Sequence, residues 1–426
     1  MTRSRPFPPS LRVAESLTVL VAARDEERLI GRTVSALREE FPEAGILVAD
    51  DGSRDGTAAA AEQAGARVVR LPRLGKGQAL ALAEREAPPG RLLLCDAELE
   101  GELARLLKAS ADLAVAAFAE RQGGGFGMAK RAARALVRAR SGFEAREPLS
   151  GQRALSPAAR SACFPTAPGF GCEVRMTIDA VRGGLDVVEV ELPLRHRPTG
   201  RDSLGFLHRG RQLLDAVLAC GPLAANYRGL RLPLVGALVA LGGRRAPRRI
   251  AVSVGGIALL GLVDDLRSGP ERGFLGHLGA GRTTTGVLKA AGIPALALAA
   301  TRSLSGATLV SLSANALNLL DTRPGRALKA FLAGSALLRG PTQAYVPVAV
   351  LLAPYDLREM TMLGDAGSNA LGAVLGYGSV ARLTGRGRLL AIATLAGLTV
   401  AGELRSLGEL IERTPVLSDL DRLGRP

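Results

Sequence analysis

The sequence predicts two units of different class: an α/β N-terminal half on a mainly parallel sheet, then an all-α, apolar C-terminal half. Three observations predict this. From residue 17 to about 198, short apolar runs alternate with stretches of helical spacing, the rhythm of successive βα units. Three of those runs end in carboxylates, and the carboxyl edge of a parallel sheet is where open α/β folds bind ligands. Beyond Asn226-Tyr227-Arg228 the composition turns apolar, and hydrophobic segments recur with polar motifs between them. At 426 residues the chain has length for two or three domains.

The first strand, Leu17-Thr18-Val19-Leu20-Val21-Ala22-Ala23, runs into Arg24-Asp25-Glu26-Glu27. Residues 28–40 follow with helical spacing (Leu29, Ile30, Val34, Leu37) behind an acidic turn, which suits the positive end of a helix. Ile46-Leu47-Val48-Ala49 leads straight into Asp50-Asp51-Gly52-Ser53. Gly52 and Gly56 permit a tight turn, and Ser53, Asp55 and Thr57 are capping types for a helix over 58–64. Residues 66–71 read as the next strand.

Gly75-Lys76-Gly77-Gln78 opens a helix over 79–87. Its lysine either meets a phosphate or ribose at a helix start, or is a surface residue in a plain turn. Leu92-Leu93-Leu94-Cys95 then delivers Asp96-Ala97-Glu98. The Gly-rich stretch 122–127 reads as a loop over the site, followed by a basic helix over 128–140. Gly169-Phe170-Gly171-Cys172-Glu173 opens a helix over 174–181. A strand over 185–192 leads to Leu194-Arg195-His196-Arg197-Pro198.

The formal charge of +15 points to an anionic partner: nucleic acid, a membrane surface or an anionic substrate. Nucleic acid is disfavoured, because aromatics are only 3%, Trp is absent and the arginines are dispersed. The four cysteines show neither metal spacing nor a disulfide framework, which fits a reducing, cytoplasmic setting with Cys95 as a buried thiol. Residues 1–16 are basic and Pro-rich without an apolar core, so no cleavable signal peptide is expected.

Together, Asp25-Glu26, Asp50-Asp51-Gly52-Ser53 and Asp96-Ala97-Glu98 resemble the family 2 glycosyltransferases of the GT-A fold. The resemblance implies a GT-A (Rossmann-like) domain over 17–203 that takes a nucleotide-sugar donor. It implies Asp25 and Asp50 at base and ribose, with Asp51, Lys76, Arg153 and Arg197 also on the donor. Mg²⁺ or Mn²⁺ would sit on Asp96, with Glu98 in place of the family's second Asp and His196 as a third ligand. A hard cation of this kind takes a carboxylate or two plus substrate phosphates. Arg197 or Arg201 would hold diphosphate. Leu149-Ser150-Gly151-Gln152-Arg153-Ala154 is similar to the segment beneath the family's acceptor pocket. Glu173 is then the catalytic base, or a plain partner of the helix dipole. Asp96 is assigned to catalysis as well, through the metal.

In the second half, apolar segments fall near 230–241, 250–263, 286–300, 306–320, 327–338, 345–353, 370–380 and 389–400. Each is shorter than the ~20 residues usual for a bilayer span, although flanking residues can extend them and arginines can snorkel. The reading is a polytopic membrane domain over 229–403. It follows an amphipathic linker at 204–228, precedes a tail at 404–426 and leaves the N-terminal domain on the cytoplasmic side. Helices buried in a protein core are the alternative. Leu262-Val263-Asp264-Asp265, Asn315-Ala316-Leu317-Asn318-Leu319-Leu320-Asp321 and Gly364-Asp365-Ala366-Gly367-Ser368, with Lys289, resemble the polyprenyl-phosphate N-acetylhexosamine-1-phosphate transferases. That implies a second site of Asp264, Asp265, Lys289, Asn315, Asn318, Asp321 and Asp365. The family's His-rich motif near the C-terminus is missing, and Thr322-Arg323-Pro324-Gly325 replaces a Gly-rich continuation.

The leading expectation is therefore a membrane-bound, metal-dependent glycosyltransferase. It would move a sugar from a nucleotide-sugar to a lipid-linked acceptor such as polyprenyl phosphate, in cell-envelope glycan or glycolipid synthesis. The alternatives are a sugar-1-phosphate transferase acting through Asp264, Asp265 and Asp365, and a non-catalytic, lipid-binding membrane scaffold.

Overall fold

The computed structural model describes residues 16–98, 101–118, 128–193, 203–267, 285–404 and 407–425. The chain divides into two compact units, Met1–Cys220 and Gly221–Pro426.

The first unit is built on a seven-stranded sheet of β1 (Leu17–Ala23), β2 (Gly45–Asp50), β3 (Arg67–Arg70), β4 (Arg91–Asp96), β5 (Leu113–Phe118), β6 (Arg153–Leu155) and β7 (Val187–Leu192). Their order is β3-β2-β1-β4-β6-β5-β7, and among the described strands of this sheet only β6 runs antiparallel to its neighbours. The expected α/β unit with a mainly parallel sheet is thus present. Alternation along the buried strands feeds two cores. Val19 and Val21 of β1, with Ile46, Val48, Leu93 and Cys95, pack against Ile30, Val34 and Leu37 of α1 (Glu27–Glu40) and Ala61 of α2 (Thr57–Gln63). Leu20, Leu47, Leu92 and Leu94 point the other way. They meet Ala79, Leu80 and Ala83 of α3 (Lys76–Glu84) and Cys172, Met176 and Ala180 of α7 (Cys172–Arg182). The sheet is therefore buried on both faces, and each such Leu or Val contributes about 1.5–3 kcal/mol on burial.

Further helices are α4 (Ala104–Lys108), α5 (Met128–Ser141), α6 (Pro157–Cys163) and α8 (Ser203–Ala219). Ala133 and Val137 of α5, Val174 and Ile178 of α7, and Ala216 of α8 form a third cluster. Within the amphipathic stretch expected as a linker, Ser203–Ala219 is a helix that packs on this unit. β5, β6, α4 and α6 have no counterpart among the predicted elements. All four cysteines are buried free thiols.

The second unit begins with a hairpin, β8 (Leu223–Ala225) and β9 (Arg231–Pro233), and a 3₁₀ stretch, Gly236–Arg245. Helices follow: α9 (Arg248–Arg267), α10 (Thr285–Thr301), α11 (Leu304–Leu320), α12 (Arg326–Leu338), α13 (Val346–Leu357), α14 (Gly364–Arg382), α15 (Gly385–Leu404), α16 (Leu407–Arg413) and α17 (Pro415–Arg422). Seven of the eight apolar segments fall in helices, and the first divides between β9 and the 3₁₀ stretch. α14 is the central element. Its small residues Gly367, Ser368, Ala370, Gly372, Ala373 and Gly376 are all buried, which lets α9 and α11 approach closely.

The multi-pass membrane placement, with a cytoplasmic N-terminal domain, is overturned. Among the described residues, no helix is long and apolar enough to cross a membrane. α9 is 20 residues long but carries Arg248, Arg249, Asp264, Asp265 and Arg267, while α10 and α11 have only 17 residues each.

Candidate active site

The candidate site lies where β1, β2 and β4 end. Across β1 and β2, Ala23 pairs with Asp50; across β1 and β4, Ala22 pairs with Asp96. Parallel register therefore puts the two carboxylates at one rim, on either side of β1. The turns beyond β1 and β2 are tied together. Asp25, at φ 57°, donates its N–H to Ser53 Oγ at 3.0 Å, and its Oδ1 accepts from Arg54 N at 2.9 Å. Asp50 accepts from both the N–H and the hydroxyl of Ser53. Asp55 accepts from the first N–H of α2, that of Thr57, at 3.1 Å.

Asp51 shapes the next loop. Its Oδ1 accepts from Leu74 N at 2.7 Å and Gly75 N at 2.8 Å. Burial pushes this carboxyl up, against those two hydrogen bonds. The loop so fixed starts α3 at Lys76. Gly77 follows of necessity, because a Cβ there would come within 2.0 Å of the Ala167 carbonyl oxygen.

Lys76 then joins the two sides of the site. Its Nζ lies 2.6 Å from Asp96 Oδ1 and 2.7 Å from Glu173 Oε1. Burial works against its charge, but Asp96 and Glu173 hold the ammonium well above the ordinary lysine range. Gln152 Nε2 donates to Asp96 Oδ2 at 3.1 Å. Gly151 packs directly over the pair: a Cβ there would sit 2.4 Å from Asp96 Oδ2 and 2.7 Å from Lys76 Nζ. Burial pushes the Cys172 thiol well up, and this protonated group donates to Glu173 Oε2 at 2.9 Å.

Glu173 is itself positioned from two directions. Gln78 of α3 accepts from Gly169 N at 3.1 Å, and Asp215 of α8 accepts from Phe170 N at 3.0 Å. Together they pin the turn that opens α7. Asp96, a third exposed, faces solvent more than Glu173, which is 6% exposed.

The sequence model of the family described as "Glycosyl transferase family 2" matches residues 18–146. Over these residues the chain is similar to the family 2 glycosyltransferases. Among curated proteins, "Glycosyltransferase AglJ" of Haloferax volcanii is 29% identical over 201 residues, covering 44% of this chain and 66% of the relative. "Protein RfbJ" of Shigella flexneri is 36% identical over 62 residues, covering 15% of this chain and 48% of the relative. The chain thus spans about half to two thirds of the length of these curated relatives. Among solved structures, glucosyl-3-phosphoglycerate synthase of Mycobacterium tuberculosis with phosphoglyceric acid is 25% identical, covering 49% of this chain and 80% of that one, with a TM-score of 0.40. The same synthase with Mg²⁺ and uridine-diphosphate gives 25%, 49%, 79% and 0.40. A TM-score of 0.40 is too low to establish a shared fold.

Of the residues expected to act in the glycosyltransferase domain, Asp25, Asp50, Asp51, Lys76, Asp96 and Glu173 are gathered around this rim or the loops that build it. Asp25 is about half exposed; Asp50 and Asp51 are buried and spent on their turns. Arg153 is placed differently from a donor ligand. It is fully buried, donating to Ser150 O at 2.8 Å, Thr177 Oγ1 at 2.9 Å and Pro148 O at 3.2 Å. It anchors the loop that carries Gly151 and Gln152. Glu98 is exposed, in the turn beyond β4. His196, Arg197, Arg201 and the Gly-rich stretch 122–127 lie outside the described residues. Gln78, Gln152 and Asp215 were not among the predicted site residues. The two glutamines stand in the motifs that were, while Asp215 had no signal beyond being an acid in an amphipathic stretch.

Among the described residues, no group of three or more His, Cys, Asp or Glu could hold a metal ion. The donor set nevertheless suits a hard cation that keeps water and phosphate oxygens as its other ligands. Asp96 offers carboxylate oxygens at an open rim, and the Lys76 ammonium already occupies a place for positive charge beside it.

The second unit gathers its own polar cluster. Lys289 of α10 bridges Asp264 of α9, at 2.5 Å, and Asp365 of α14. Asp265 caps α14, accepting from Asp365 N at 2.9 Å and Ala366 N at 3.0 Å. Ser368 Oγ donates to Asn318 Oδ1 at 2.6 Å. Burial, reinforced by Asp365, pushes Asp265 up to about 6. Asp321 is pushed well up by burial, with Asp356, Asp365 and Asp265 adding. Asn315 is turned elsewhere, donating to Thr399 Oγ1 of α15 at 3.1 Å.

Proposed function

We propose that the first unit transfers a sugar from a nucleoside-diphosphate donor to a lipid-linked acceptor such as polyprenyl phosphate, in glycan or glycolipid synthesis. The observation that carries this is the Lys76 contact with both Asp96 and Glu173. One ammonium ties the carboxylate suited to a cation to the carboxylate suited to the acceptor.

Asp96, on this reading, holds Mg²⁺ or Mn²⁺, and the bound cation supplies neutralisation of the leaving diphosphate. Asp25, on the exposed side of the laced turns, receives base and ribose, and Asp50 orders the turn beside it through Ser53. Lys76 meets the diphosphate. The glycosidic bond to the diphosphate breaks, the bond from acceptor oxygen to sugar forms, and the nucleoside diphosphate leaves. Glu173 accepts the proton of an acceptor hydroxyl; with a phosphate acceptor there is no such proton, and Glu173 positions the group. Exposed Leu337, Leu351, Leu389 and Leu390 in the second unit support an apolar partner, as a lipid tail would be.

The test is incubation of the protein with a panel of nucleotide-sugars and polyprenyl phosphate, identifying lipid product and released nucleotide. Lipid-linked sugar and nucleoside diphosphate support the reading; transfer undiminished in Asp96→Ala refutes it.

A second reading, sugar-1-phosphate transfer by the second unit, is favoured by one observation. Lys289 joins the Asp264-Asp265 motif to the Gly364-Asp365 motif, Asp265 caps the helix that carries Asp365, and Ser368 of that helix donates to Asn318 of the remaining motif. It predicts release of a nucleoside monophosphate, lost in Asp365→Ala. A lipid-binding scaffold would release neither nucleotide.

A further inference from the structure

Lys76 does more in this geometry than wait for a phosphate. Its Nζ is 2.6 Å from Asp96 Oδ1, inside the space a cation on that oxygen would need. A lysine ammonium and a divalent cation cannot both contact the same carboxylate oxygen without strong mutual repulsion at that range. The ammonium is anchored on its far side by Glu173 at 2.7 Å. The roof is fixed too, since Gly151 leaves no room for the pair to move towards it.

We infer that Lys76 is an internal counter-ion that competes with the divalent cation for Asp96. The cation then enters efficiently only together with a nucleoside diphosphate, which gives the displaced ammonium a new anionic partner. This rests on the reading of Asp96 as the cation's carboxylate. Metal and nucleotide consequently bind with positive coupling, and by linkage each tightens the other by the same factor. The arrangement also restrains the base. While Asp96 lacks its cation, Glu173 stays paired with Lys76, so the acceptor side is readied only once the donor is in place. Lys76 acts here as a positioning residue through Asp96 and Glu173, apart from any contact it makes with the donor.

The test is Mn²⁺ binding, followed by the electron paramagnetic resonance signal of free Mn²⁺, without any turnover. Wild type should bind Mn²⁺ alone weakly. UDP, GDP or dTDP, whichever is the cognate nucleotide, should tighten it at least about tenfold. Lys76→Met should bind Mn²⁺ alone at least about tenfold tighter than wild type and lose most of the coupling. Lys76→Arg keeps the charge and should behave as wild type. If Lys76→Met does not fold, the charge-balanced pair Lys76→Met with Glu173→Gln carries the same expectation.

Less than a threefold gain for Mn²⁺ alone on removal of the lysine charge overturns the inference. The reading beneath it fails differently: Mn²⁺ binding with nucleotide would survive Asp96→Ala, or no nucleotide would promote it at all. If Asp96→Ala abolishes binding while loss of the lysine charge changes nothing, only the counter-ion role falls.

Discussion

Asp50 and Asp96 end the two strands that flank β1, one opposite Ala23 and the other opposite Ala22. One strand therefore separates them, or roughly 10 Å between backbones at ordinary strand spacing. The two differ in surroundings. Asp50 is buried and holds Ser53, whereas Asp96 is a third exposed and holds Lys76. Asp96→Asn should keep the hydrogen bond to Lys76 but remove the charge, lowering transfer roughly 100-fold or more with an unchanged melting temperature. Steady-state rates beside a thermal melt check this.

Gly151 tests the site without touching a charge. In Gly151→Ala the new methyl meets the ends of the Asp96 and Lys76 side chains, not backbone, so the fold should survive and the pair should shift. A misplacement near 1 Å can cost about 100-fold in rate. The expected result is that loss with a near wild-type melt; full activity would show the pair is not held in place by the loop.

Arg153 is expected to matter for stability first. Arg153→Leu leaves Ser150 O, Pro148 O and Thr177 Oγ1 without their donor in a closed interior. Stranding buried acceptors costs about 1–3 kcal/mol each in desolvation. Urea unfolding should show a loss of about 3 kcal/mol or more, and the protein that remains folded should also lose rate, because the loop that carries Gly151 and Gln152 has lost its anchor.

How much of this was legible beforehand differs between residues. Asp25, Asp50 and Asp96 were readable because an apolar run that ends in a carboxylate fixes both the strand and the edge at which the acid emerges. The helices of the second half were readable from their apolar spacing. Arg153 was misplaced, because a motif gives residue identity but not depth; only the packing of β6 between β4 and β5 shows that its side chain is enclosed. β6 itself is three residues long, too short to carry a period. The membrane placement failed for a related reason. Apolar composition marks short helices of a protein interior as readily as helices that would span lipid, and helix length together with the charges each helix carries is what distinguishes them. Asp215 and Gln78 act through backbone N–H groups of a distant turn, and no local pattern announces that.

Asp356 predicts a pH dependence in the second unit. Its carboxylate accepts from Gly325 N at 2.6 Å, yet burial pushes it up to about 6. An unfolded aspartate titrates near 3.9, so between about pH 4 and 6 the folded state binds more protons than the unfolded one. This group's contribution to stability therefore falls as pH rises through that window and levels off above it. Asp356→Asn should flatten the fall. Urea midpoints at pH 4.5 and 7.0 for both proteins check the sign.

The most direct measurement is the nucleotide released when the protein meets a nucleotide-sugar and polyprenyl phosphate, read side by side for wild type, Asp96→Ala and Asp365→Ala. The account predicts a nucleoside diphosphate, abolished by Asp96→Ala and retained in Asp365→Ala. A nucleoside monophosphate that persists in Asp96→Ala and vanishes in Asp365→Ala would contradict it.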